Sequence, residues 1–249
     1  MMEIILVLAA AFCAGVLNTI AGGGTFLTFP ALVFIGVPPV IANATSAVAV
    51  FPGYLGGAIG FRDELRKFDK ALILKLVAVT FAGGLVGSLL LLVSSNEAFS
   101  IVVPFLLLAA TLVFLFGEQI RIWAARHSRA VTPYGPAGLF IVSIYGGYFN
   151  GGLGIVLLAL FALWGMMNIH EMNGLKNGLS FALSAISVAV FAIGGLIEWQ
   201  YAVGMMVAST CGGYVGAPIA RVLPKAVVRG LIAVVGFSMS AVFFWRLLP

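Results

Sequence analysis

The stretch "NTIAGGGTFLTFP", Asn18 to Pro30, interrupts an apolar run that would otherwise read as a membrane-spanning helix. Three consecutive glycines, Gly22, Gly23 and Gly24, are poor helix interior and leave backbone N–H groups bare. In hydrocarbon a bare N–H costs several kcal/mol, so a break survives only where protein or a water-filled cavity satisfies it. The triplet therefore marks a buried or wetted point in the fold, and the rest of the chain decides whether that point is built once or twice.

The surroundings are membrane-like throughout. Of 249 residues, 62% are hydrophobic and 8% charged, and the mean hydropathy is +1.17. Soluble domains carry roughly a quarter charged residues. The chain reads as an all-α polytopic membrane protein, with spans of about 20 residues each. The longest polar segment, about Glu118 to Pro133, leaves no room for a soluble domain. The net charge of +5 reports loop orientation before anything else, and no aromatic-interleaved basic patch points to nucleic acid. Cys13 and Cys211 sit in apolar context without a CxxC or clustered histidines, so they read as small buried hydrophobes and neither a metal site nor a redox pair is expected. Met1-Met2-Glu3 lacks the positive region of a secretion signal, and Phe12 before Cys13 spoils a lipoprotein cleavage box, so the N-terminus reads as mature chain.

The cations sort into three loops: 62–70, 118–135 and 221–229. The turns at Ser94–Glu97 and Glu198 carry none. The positive-inside rule puts the basic loops in the cytoplasm and the bare turns outside. Single spans over about 71–93, 98–117, 199–220 and 226–245 agree with that arrangement. The uncharged run 136–165 must then begin and end on the cytoplasmic side. A hairpin broken near "NGGLG", Asn150 to Gly154, does this; one straight span does not. The same logic makes about 4–37 a hairpin entering from outside and broken at "AGGG", followed by a span at about 44–61; a span at about 178–197 follows the second hairpin.

Each half then reads as a glycine-broken hairpin followed by three spans, in opposite orientations: residues 1–117 and 136–249, joined by a basic linker at 118–135. "AGVLN" (14–18) matches "GGYFN" (146–150), and "GGLVG" (83–87) matches "GGYVG" (212–216), in the same order and at similar spacing. Glycine-interrupted segments at corresponding places are the sequence pointer to an inverted-repeat transporter and its binding site.

The breaks have a chemistry. A helix restarting at about Thr25 presents unpaired N–H groups and the positive end of its dipole, a ready anion site. Gly151, Gly152 and Gly154 repeat this from the other side, and Asn18 and Asn150 stand ahead of the two breaks as side-chain donors. "ANATS" (42–46) opens the next helix, with Asn43 or Thr45 as candidate caps and Ser46 beside them. "MNGLKNGLS" (172–180) opens its counterpart, with Asn173, Asn177 and the cation Lys176. Each asparagine reads equally as a cap or a ligand contact. Lys176 reads as a snorkelling lysine or as an anion contact, and Lys75 as a snorkelling lysine. All eight carboxylates lie at loops or helix ends. Cation transporters and proton pumps carry membrane-embedded acids, so this distribution favours an anionic substrate.

"AGVLNTIAGGGTFLTFPALVFIGVPPVIANATSAVAVFPGYLGG" resembles the sulfite exporter TauE/SafE family, also called the toluene sulfonate uptake permease family. "KNGLSFALSAISVAVF" and "GGYVGAPIARVLP" extend the likeness over essentially the whole chain. The resemblance implies an inner-membrane secondary transporter for sulfite or an organosulfonate, whose members differ in substrate and direction. The expected partners are the lipid bilayer, a small anion and a coupling ion (proton or sodium), in a monomer or homodimer. No cofactor is expected. The absence of GxxxxGK[ST] argues against an ATPase, and two scattered histidines supply no acid–base or metal cluster for an enzyme. The other readings are a carrier of a carboxylate or of sulfate, and a non-transporting assembly subunit whose glycines only let helices pack closely.

Overall fold

The computed structural model describes residues 2–20, 23–127, 132–219 and 225–247. Among these, the regular structure is entirely helical. The chain runs through α1 (Met2–Ile20), α2 (Thr25–Phe34), α3 (Pro39–Gly60), the single turn α4 (Arg62–Leu65), α5 (Lys70–Val93) and α6 (Asn96–Leu115). It continues through α7 (Gly117–Arg126), α8 (Pro136–Tyr148), α9 (Leu153–Leu163), α10 (Ile169–Ile193), α11 (Trp199–Ile219) and α12 (Lys225–Leu247).

Among the described residues, the helices at Pro39–Gly60, Lys70–Val93, Asn96–Val113 and Ile169–Ile193 are long and apolar enough to cross a bilayer. Leu74, Ile101, Phe105, Val203, Val207 and Val234 are each more than half exposed, a surface suited to lipid and not to water. The protein is a membrane protein. At 1.5 Å per residue, α2 and α9 are only about 15 Å long, half of a hydrocarbon core of about 30 Å. Both are largely buried in protein. Phe29 anchors α2 against Phe99, Phe149 and Phe243, with ring centroids 6.4, 5.9 and 6.0 Å away.

Packing pairs the two parts of the chain. α1 lies on α11, α8 on α5, α3 on α10 and α6 on α12. The first two crossings are closest, and glycine makes them so. A Cβ on Gly15 would land on the Ser209 carbonyl oxygen, and one on Gly212 on that of Phe12. Across α5 and α8, a Cβ on Gly87 would strike the Ile144 carbonyl and one on Gly147 that of Gly84. Backbones this near each other gain dispersion contact where lipid supplies no hydrophobic drive between helices.

Four expectations need correction. α3 begins at Pro39, not near 44: Pro38 and Pro39 start the helix with a pre-set φ and no N–H to orphan, so Asn43 and Thr45 are buried interior residues and not caps. α10 begins at Ile169, not near 178, because Asn168 caps it by accepting from the His170 and Glu171 amides. The segment read as a polar linker is helical over Gly117–Arg126, with its apolar side against α9. Cys13 and Cys211 are exposed, since the lipid-facing side of a helix is as apolar as its core side and hydrophobicity alone does not separate them.

The glycine crossings predict a sharp contrast in stability. Gly212→Val should lower unfolding stability in detergent by about 1–3 kcal/mol, the usual range for overpacking. Gly56→Ala, whose Cβ meets open space, should not. A thermal melt of both variants checks this.

Candidate functional site

Five helices enclose a cavity of about 600 Å³. α1 contributes Gly15 and Asn18, α3 Pro52, Gly53, Tyr54 and the glycines at 56, 57 and 60, with Phe61 just past its end, α9 Gly154, α10 Asn173, Lys176 and Asn177, and α11 Ser209, Thr210, Gly213 and Tyr214. The cavity reaches from the loop that follows α3 to the two chain breaks. Asn18 lies in the last turn of α1, before the first break, and Gly154 in the first turn of α9, after the second.

Glycine opens the cavity. A Cβ on Gly53, Gly56 or Gly60 would meet nothing within 4 Å, so one side of α3 presents bare backbone to the space. Gly57 takes the Asn177 amide instead, whose Nδ2 lies 2.7 Å from where a Cβ would stand. This face was legible: glycines at 53, 56, 57 and 60 recur at i, i+3, i+4 and i+7, one side of a helix. Tyr54 and Ser209, which join it on the cavity wall, carry no comparable signal in the sequence.

The charge is uneven. Lys176 is 8% exposed, and no carboxylate or hydrogen-bond acceptor holds it among the described residues. The acid nearest it in sequence, Glu171, pairs instead with Lys67 at 3.5 Å. Among the described residues no acidic residue lines the cavity. An ammonium on a cavity wall without a protein partner among the described residues is free to pair with a negative group that enters the space. The Ser209 hydroxyl, 2% exposed as a residue, also lacks a partner.

The remaining candidates from the sequence sit elsewhere. Asn18 Oδ1 accepts from the Gly24 amide at 2.8 Å, and Phe26 and Leu27 turn their amides back onto the Gly23 and Gly24 carbonyls. The start of α2 is thereby mostly closed on itself, and Thr25 is buried away from the cavity lining. Gly22 lies outside the described residues. At the second break Asn150 has φ +62° and Gly152 φ +70°, a tight left-handed turn, and the Gly151 carbonyl accepts from the Tyr145 hydroxyl. Asn150 faces Tyr54 and its Oδ1 has no partner. Asn43 Nδ2 donates to the Tyr148 carbonyl at 2.8 Å, Thr45 Oγ1 accepts from the Glu198 amide at 3.0 Å, and Ser46 shares a bond of 2.5 Å with Thr28. The geometry thus gathers Asn18, Gly154, Asn173, Lys176 and Asn177 around one space and leaves Gly23, Gly24, Thr25, Asn43, Thr45, Ser46, Asn150, Gly151 and Gly152 in the joints around it. Among the described residues no cluster of His, Cys, Asp and Glu is arranged to hold a metal ion.

The family profile described as Sulfite exporter TauE/SafE matches residues 7–243. The chain belongs to the TauE/SafE family. A probable membrane transporter protein of Haemophilus influenzae is 30% identical over 239 residues, covering 94% of this chain and 93% of the relative. The probable membrane transporter protein YfcA of Escherichia coli is 25% identical, covering 93% and 86%, and the probable membrane transporter protein ORF9 of a Sinorhizobium species is 24% identical, covering 93% and 88%. No solved structure matches the chain. As a TauE/SafE membrane transporter it needs a solute pathway, and the cavity between the breaks is the space in the described structure with an unpaired cation on its wall.

The bond closing the first break has a measurable share in the fold. Asn18→Ala leaves the Gly24 amide unpaired and should cost about 1–3 kcal/mol of unfolding stability. Asn177→Ala removes no hydrogen bond among the described residues and should cost less. Chemical denaturation in detergent separates the two.

Proposed function

We propose that this TauE/SafE transporter carries a small sulfur oxyanion, sulfite or more fittingly an organosulfonate, through the cavity at Lys176. The observation that carries the reading is the buried, unpaired ammonium in an acid-free cavity. A sulfonate would take a charge-assisted bond from Lys176, worth about 1.5–3 kcal/mol, with Asn177, Asn18 and the Ser209 hydroxyl as further donors. The volume favours an organic body. At about 30 Å³ per water, 600 Å³ is far more than a bare sulfite needs, while it falls within the range of organic-ligand pockets. Tyr54, Phe61 and Pro52 supply an apolar wall for that body.

Alternating access between two inverted repeats fits the packing. Exchanging the α1–α6 set for the α8–α12 set turns the α1–α11 contact into α8–α5, α2–α12 into α9–α6, and α3–α11 into α10–α5, while α3–α10 and α6–α12 map onto themselves. The "GGLVG" and "GGYVG" segments occupy matching crossings on α5 and α11. With the basic loops in the cytoplasm of the inner membrane, the cavity opens inward and the far side is closed. A proton or sodium ion remains the expected coupling partner, and a carboxylate or sulfate the competing substrate.

The test is flux of toluenesulfonate, sulfite, sulfate and acetate into proteoliposomes. Lys176→Gln should reduce sulfonate flux at least about tenfold, the loss expected for one charge-assisted contact, with the melting temperature little changed. Undiminished flux in that variant would remove Lys176 from the site, and preference for acetate would replace the substrate class.

A further inference from the structure

The face of α10 that lines the cavity does not stop at the cavity. From Lys176 it continues through Ser180, Ser184 and Ser187, spaced four, four and three residues apart and so stacked on one side of the helix. All three serines are 1–2% exposed. None of their hydroxyls has a hydrogen-bond partner. Thr80 on α5, Ser143 on α8 and Ser209 on α11 are also buried without a partner, but each is single on its helix among the described residues, whereas α10 carries three in a row on one face. Ser88, Thr111 and Thr210 also sit inside helices, and each returns its hydroxyl to the carbonyl four residues back. The three α10 serines withhold theirs although the same carbonyls are in reach by sequence.

Neighbouring contacts fix where the face points. Asn177 meets Gly57 and Phe181 stacks on Phe51, both on α3. Leu183 and Ile186 meet Gly84 on α5. The serines lie on α10 between these two sets, turned inward and away from lipid. Lys176 to Ser187 is 11 residues, a rise of about 16 Å, about half the hydrocarbon thickness. The contacts 57–177, 51–181 and 45–198 descend on one helix as they rise on the other, so α3 runs antiparallel to this face. At the far end α3 is sealed by paired groups: Asn43 to the Tyr148 carbonyl and Thr45 to the Glu198 amide.

We propose that Ser180, Ser184 and Ser187 are the wall of the solute path on the side that is shut in this structure. They hold hydroxyls in reserve for water and for the anion when the Asn43 and Thr45 bonds open. The inference rests on the transport reading and adds to it a second, occluded segment of the path.

Single cysteines at 173, 184 and 187, in a background with Cys13 and Cys211 replaced by Ala, test this. The probe is the membrane-impermeant anionic thiol reagent methanethiosulfonate ethylsulfonate, applied separately to intact cells and to inverted vesicles. Asn173→Cys should label from the side of the cavity mouth. Ser184→Cys and Ser187→Cys should label from the opposite side. Cysteines at 184 and 187 that stay unmodified from both sides, while Asn173→Cys reacts, would overturn the proposal. Toluenesulfonate flux measured on the cysteine-free parent separates the two readings. Flux with inert serine positions sinks this inference alone. Labelled serine positions in a protein that moves no anion support the wetted path and count against the transport of sulfonates.

Discussion

An interrupted helix inside a bilayer has to bring its own hydrogen-bond partners, and that requirement organises this structure. No water is at hand in hydrocarbon to cover a bare amide. The first break answers with Asn18, whose side chain takes the Gly24 amide and bridges the end of α1 to the start of α2. The second answers with geometry: Asn150 and Gly152 turn left-handed, and the Tyr145 hydroxyl covers the Gly151 carbonyl. Asn43, reaching from α3, caps the Tyr148 carbonyl at the end of α8. Polar side chains in the joints are thus largely consumed in closing them.

What remains unspent is more telling. The short helices α2 and α9 are buried by their neighbours, and Asn18 and Gly154, beside the two breaks, line one cavity. Glycine crossings at Gly15, Gly212, Gly87 and Gly147 draw α1 onto α11 and α8 onto α5. α3 does the opposite with the same residue: Gly53, Gly56 and Gly60 face open space and keep it open. Between tight crossings and a bare glycine wall stands Lys176, its charge unmatched by any carboxylate among the described residues.

Much of this could be read before any coordinates. The glycine runs at Gly23–Gly24 and Gly151–Gly152 marked where helices stop, whereas the pairs at 56–57, 83–84, 146–147 and 212–213 lie within α3, α5, α8 and α11 and serve close packing or the open cavity wall. The start of α10 could not be read the same way. "NIHEMNGLKN" looks like a loop by polarity, yet from Ile169 it is helix, and Asn173, Lys176 and Asn177 face a cavity that only the folded neighbours create. Asn43 and Thr45 looked like caps by type, but the two prolines ahead of them had already started α3. The burial of cysteine failed for a different reason: in a membrane, apolar surface says nothing about inside and outside, and Cys13 and Cys211 face out. The sequence alone singled out Lys176 but left it between a snorkelling lysine and a ligand. Its neighbours in space, not in sequence, put it on the wall of the cavity, which is what supports the second.

The central claim is that an anion completes the charge of this cavity. The most direct test is a cryo-electron microscopy map of the protein in lipid nanodiscs with toluenesulfonate. The account predicts sulfonate density within hydrogen-bond distance of Lys176 Nζ, between the end of α1 and the start of α9. A map placing the anion elsewhere, with Lys176 paired to a protein carboxylate or a lipid phosphate, would contradict it.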